Sequence, residues 1–165
     1  MPPNHHKELA IFLKEIVGGT PSVNAYRDNS GSRPIPIGHF GEVFFSTIGA
    51  FEMGLSLPAG NFEFTAMGSE QWLPNSLASS IYWLAERSSD EWPLVCEDVI
   101  RVNGKSTYRH MAYVPSPFDL KLSNGQSVKW LLGVPITDKE IGISEKSVMN
   151  KAKEIYPDWL FSEGA

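Results

Sequence analysis

Residues 127–141 read S-V-K-W-L-L-G-V-P-I-T-D-K-E-I, an apolar run that passes directly into a polar one. In an extended chain Val128, Trp130, Leu132, Val134 and Ile136 point to one side. Leu131 and Gly133 on the other side are uncharged as well, so the strand is expected to be covered on both faces. Pro135 has no amide hydrogen to give a ladder, and pairing is expected to end there. Thr137 and Glu140 follow at the spacing of a capping box, which predicts a helix start.

The strand before it fixes a hairpin. Phe118, Leu120 and Leu122 alternate with Asp119 and Lys121 up to an Asn124-Gly125 turn. A two-residue loop would set Leu120 opposite Lys129 and mix apolar with charged partners on one face. A loop of three or five residues, with Leu122 opposite Val128, Leu120 opposite Trp130 and Phe118 opposite Leu132, keeps the apolar set together. Gly125 is then expected in the left-handed conformation.

Working outward, Leu9, Phe12, Leu13, Ile16 and Val17 recur at helical spacing and predict a helix over 5–17, stopped by Gly18-Gly19. Its charged side reads as solvated. A short strand is expected near Val23–Tyr26, and the rest of 20–41, with its prolines and glycines, reads as a long surface loop. Strands are expected at Glu42–Gly49 and Asn61–Met67, paired as an antiparallel hairpin. Phe62, Phe64 and Ala66 face one way, and Glu63, Thr65 and Met67 the other. Residues 75–87 predict a second helix with Asn75 as cap and Leu77, Ile81, Leu84 and Ala85 as its buried stripe; Trp83 falls off that stripe and is expected to pack under a loop. A strand near Asp98–Val102, an Asn103-Gly104 turn and a strand over Tyr108–Val114 follow, with Pro115-Ser116-Pro117 as a break. The chain ends on a helix holding Val148, Met149, Ala152, Ile155 and Tyr156, capped by Ser144 and stopped by Pro157, after which Trp159, Leu160 and Phe161 dock the C-terminus. The sum is a single α+β domain over 1–165: a mostly antiparallel sheet flanked by helices.

At 165 residues and 42% hydrophobic, the chain can bury a core without staples. A formal net charge of −5 argues against nucleic acid as a partner, which needs a positive footprint. No stretch is apolar for long enough to span a membrane, and the N-terminus lacks the apolar core of a secretory signal. With Cys96 as the one cysteine, a reducing cytoplasm is the expected setting.

Chemistry is sparse. A thiol enzyme could draw only on Cys96, with His39 or His110 as base and Asp98 or Asp119 as orienter. Cys96 stands beside Glu97 and Asp98, which oppose thiolate formation, so a buried hydrophobe is the better account. His5 and His6 are adjacent in sequence and, as helix neighbours, are not expected to face a common point. A zinc site from His39, His110 and a carboxylate lacks recognisable ligand spacing. The N-G-K-S run at 103–106 reads as a hairpin turn, not a phosphate loop. No catalytic residue, cofactor or metal is expected. What remains is an acidic segment, Glu86, Asp90, Glu91, Glu97 and Asp98 around Trp92, which reads either as a solvated face or as a surface for a basic protein.

The order of motifs resembles the suppressor-of-fused (SUFU-like) family. F-F-S-T-I-G (44–49) is followed by an F-E-F strand, N-S-L-A-S-S-I-Y-W-L-A (75–85), P-L-V-C-E-D-V-I (93–100), Y-V-P-S-P-F (113–118) and W-L-L-G-V-P-I-T-D-K-E (130–140). The last is the most specific, and the set spans about residues 42–142. The chain departs from the family in lacking the Gly-Leu-Ser that often ends the first motif. It also stops soon after the domain, as a stand-alone bacterial member would. The resemblance implies a non-enzymatic protein-binding domain. It would be an immunity protein that binds and blocks a polymorphic toxin in the cytoplasm, or else an adaptor that takes an extended peptide at a sheet edge, as animal members do.

Overall fold

The computed structural model describes residues 4–19, 21–27, 34–57, 60–89, 91–100 and 107–162. The apolar run after the Asn124-Gly125 turn is strand β7 (Ser127–Ile136), which lies between β4 (Phe62–Met67) and β6 (His110–Lys121). Four more strands complete one seven-stranded sheet: β1 (Ser22–Tyr26), β2 (Ile35–Phe40), β3 (Phe44–Thr47) and β5 (Leu94–Cys96), in the order β1-β2-β3-β4-β7-β6-β5. All neighbours are antiparallel except β4 and β7. The fold is α+β with a mostly antiparallel sheet, as the element order predicts. Three helices cover it: α1 (Asn4–Val17), α2 (Leu73–Ala85) and α3 (Glu145–Ile155).

The sheet is buried on both sides because its central strands carry apolar side chains at both parities. Val128, Trp130, Leu132, Val134 and Ile136 pack with Leu9 and Leu13 of α1, Val148 and Ala152 of α3, and Leu160 of the C-terminal turn. Leu131 points the other way, into a second cluster with Phe62, Phe64, Ala66, Met111, Tyr113 and the α2 residues Leu77, Ile81 and Leu84. Trp130 is fully buried, stacks against Phe12 and donates its indole N–H to Ser46 Oγ at 3.3 Å. Gly133 is required by space: a Cβ there would stand 2.6 Å from the Thr65 carbonyl oxygen and 2.8 Å from the Tyr113 ring. Tyr156 uses that close approach to donate to the Gly133 carbonyl at 2.7 Å.

Several expectations shift. The strand runs one residue past Pro135, to Ile136, because the missing donor lies beyond the end of the β4 ladder at Leu132. The capping box at Thr137 and Glu140 forms in full, but it closes a single 3-10 turn (Asp138–Glu140). The helix α3 starts only after its own cap, Ser144, whose Oγ accepts from the Ser147 amide.

The β6–β7 loop has three residues and Gly125 has φ +91°, as expected. The register is nonetheless two residues from the expected one, with Leu120 opposite Val128, because the loop takes 123–125 and Leu122 bonds to Gln126. Face parity, the part set by burial, is preserved. Pro115-Ser116-Pro117 does not break the strand; the irregularity is a bulge between Pro115 and Asp119 that still brings the Phe118 ring to 5.9 Å from Trp130. Glu8 of α1 is tied to this turn through the Ser123 amide and hydroxyl, both at 2.9 Å, so the charged side of α1 is not merely solvated.

The expected loop over 20–41 contains a core strand. In β2, Ile35 and Ile37 enter the α2-side cluster and Phe40 the other, in strict alternation around Pro36 and Gly38. The expected strand at Glu42–Gly49 is shorter, Phe44–Thr47; of the one expected at Asp98–Val102, residues 98–100 are not extended in a ladder and 101–102 lie outside the described residues, and β5 starts four residues earlier, at Leu94–Cys96. Val99 and Ile100 are buried outside any strand. The Asn103-Gly104 turn and the N-G-K-S run lie outside the described residues. In α2 the buried side is Leu77, Ala78, Ile81 and Leu84. Ala85 is exposed, and Asn75 sits inside the helix because Pro74 occupies its first turn.

Candidate functional site

The acidic segment begins at the C-terminal end of α2. Glu86 is exposed there, and Arg87 folds back with its guanidinium 4.0 Å from the Trp83 ring centre and a 2.7 Å bond to the Trp83 carbonyl. Trp83 is half-buried against the α2-side core, as a residue packed under a loop should be. Glu91 and Glu97 are exposed on either side of β5, the last strand of the sheet. Asp90 lies outside the described residues.

Two members of the set have other duties. Trp92 is not an exposed anchor: it is half-buried, edge-on to Phe62 with ring centres 5.4 Å apart. Asp98 is bound by Arg109, whose Nη2 is 2.5 Å from Oδ1. Its backbone N–H donates to His110 Nδ1 at 3.0 Å, which leaves the His110 Nε2 proton to bond Asp138 Oδ1 at 2.6 Å. That bond and the nearby Arg109 charge hold the Asp138 carboxyl below its usual range. The cluster clips the turn after β5 to the turn after β7. Among the described residues of the set, Glu86, Glu91 and Glu97 are exposed outside this cluster.

The residues of the thiol constellation are not assembled. Cys96 is fully buried, and burial lifts its thiol to about 12, so it is protonated at neutral pH. Desolvation sets this, ahead of any flanking carboxylate. His39 hydrogen-bonds the Tyr26 hydroxyl at 3.1 Å on β2, four strand positions from His110 on β6, or about 19 Å at normal strand spacing. A zinc site shared by those two histidines is excluded by the sheet order.

Two features were not anticipated. Glu63 is completely buried and accepts hydrogen bonds from Thr47 Oγ1 (2.8 Å) and from the backbone N–H groups of Gly49 (2.9 Å), Ala50 (3.0 Å) and Phe51 (3.0 Å). Desolvation outweighs these bonds and raises its carboxyl to about 7. The alternation F-E-F-T-A-M placed Glu63 opposite the phenylalanines, but a sheet covered on both faces buries that side too.

The second feature is what Glu63 holds in place. The 3-10 turn Ala50–Glu52 presents Glu52 to the first turn of α1, where Glu52 Oε1 lies 2.8 Å from His6 Nε2 and 2.5 Å from His5 Nε2. The adjacent histidines do meet at one point, with ring centres 4.9 Å apart and planes nearly perpendicular. Two imidazoles and a carboxylate are ligand types for zinc and its neighbours. The signal that could have suggested this was the His5-His6 pair itself; its partner is 46 residues away and unpredictable from spacing.

A cleft of about 420 Å³ opens at the C-terminal ends of β4 and β7, lined by Met67, Glu70, Trp72, Tyr108, Lys151 and Glu154. Lys151 is 2.8 Å from Glu140, so charges of both signs line or border the cleft and it has no marked preference. At the opposite edge of the sheet, β1 is mostly exposed, with Val23 at 52%. Among the described residues no helix is long and apolar enough to cross a membrane. No protein-family model matches the chain, and no curated protein matches it significantly.

Proposed function

We propose that this chain is a non-enzymatic protein-binding domain, an immunity protein that neutralises a cognate toxin in the cytoplasm by covering a basic surface. The observation that carries this reading is the exposure of Glu86, Glu91 and Glu97 around the β5 end of the sheet, in a chain of net charge −5. Rim acids of this kind steer a basic partner and speed association more than they add affinity. The resemblance of the motif order to SUFU-like proteins supports the same class. Co-expression with a toxin encoded beside it is the test: restored growth and a complex on gel filtration are expected, and continued arrest with no complex would sink the proposal.

A second reading is supported by β1. Among the described residues no strand pairs with its outer edge, and its side chains are largely exposed, the arrangement to which an extended peptide adds as a strand. An adaptor of this kind would lose peptide capture on Ala25→Pro, whose amide faces away from β2, while keeping its fold. A peptide library from which no linear motif is retained would remove this reading.

A further inference from the structure

We propose that His5, His6 and Glu52 bind one divalent transition-metal ion of the zinc class, which fastens the first turn of α1 to the connection after β3. One ligand atom from each residue lies within 4.8 Å of the other two. Glu52 Oε1 stands 2.5 Å from His5 Nε2 and 2.8 Å from His6 Nε2. Ligands about 2.0–2.2 Å from a common tetrahedral ion stand about 3.3–3.5 Å apart. A small rotation of the Glu52 side chain, which is 35% exposed, supplies the difference.

The cluster is incomplete as a hydrogen-bonded group. His6 bonds the shared oxygen, whereas His5 Nε2 is buried and makes no hydrogen bond. A cation between the three gives every one of those atoms a partner. The site is also held from behind. Glu63 fixes the backbone of Gly49, Ala50 and Phe51, immediately before Glu52. The Phe51 ring stands edge-on to His5, with centres 5.7 Å apart. Gly49, at φ +95°, leaves the space His6 fills, since a Cβ there would fall within 2.2 Å of His6 Nε2. Such supporting contacts set ligand orientation in metal sites. The side chains of His5 and His6 remain about a fifth exposed, so water can reach the remaining coordination positions.

The test is calorimetric titration of the chelator-treated full chain, made without a histidine tag, with zinc chloride alone. One saturable site per chain is expected, with an unfolding midpoint that rises with zinc concentration. Glu52→Gln and His6→Gln should each weaken binding by more than the roughly 10–100-fold that loss of a supporting residue costs, while His39→Gln leaves it unchanged. X-ray absorption of the wild-type zinc complex needs no variant to fold and should show nitrogen and oxygen ligands only. Absence of saturable binding, full binding in both ligand variants, loss of binding in His39→Gln, or a sulfur ligand implicating Cys96 would each overturn the proposal.

Discussion

Strand β7 and the Gly49–Glu52 connection lie close together on either side of β4, yet they are organised by opposite means. In β7 the backbone is satisfied by two neighbouring strands and the side chains by apolar contacts on both faces. In the connection, three successive N–H groups converge on one buried carboxylate, and the following side chain meets two histidines from a different element. The first is stabilised by dry packing, which tolerates no loss of volume. The second is stabilised by a polar network, which responds to pH and to ions.

The largest expected effect lies on the dry side. Trp130→Ala removes a fully buried indole and should cost about 3–5 kcal/mol in urea unfolding. A loss below about 1 kcal/mol would mean that the strand is not the centre of the core.

Next comes Glu63. Burial lifts its carboxyl from 4.5 to about 7, so between those values the folded chain holds a proton that the unfolded chain has released. Its contribution is therefore fully present below about pH 4.5 and is lost as pH rises through about 7, a change of about 3 kcal/mol at most. Unfolding free energies of the wild type minus those of Glu63→Gln, measured at about pH 5 and about pH 8, should fall by that order. A pH-independent difference would show that the four hydrogen bonds keep the carboxylate ionised throughout.

Gly49→Ala is the third. A left-handed φ and the His6 ring at the Cβ position together predict a loss of about 1–3 kcal/mol. Smallest is Ala85→Lys, on the exposed side of α2, which should stay within about 0.5 kcal/mol. A large loss there would restore Ala85 to the buried stripe that helical spacing assigns it.

The same contrast explains what could be read from sequence. The faces of β7, the stripe of α1 and the cap of α3 follow from periods of two or 3.6 within a dozen residues, and those were legible. So was the odd-length β6–β7 loop, because burial enforces parity; the exact register was not, since parity leaves steps of two open. Strand β2 was hidden by Pro36 and Gly38, whose loop signal outweighed Ile35, Ile37 and Phe40. The His5–His6–Glu52 cluster and the Asp98–Arg109–Asp138 clip depend on folding alone, because their members come from separate elements. Among the acidic residues, sequence could not tell those bound internally, such as Asp98, from those left facing solvent.

Association of the chain with the toxin proposed as its partner should be timed for the wild type and for Glu86→Lys/Glu91→Lys/Glu97→Lys at low and high salt. Rapid association that salt slows is expected for the wild type, and at least about tenfold slower association that salt no longer slows is expected for an equally folded variant. Equal rates at every salt concentration would contradict that expectation.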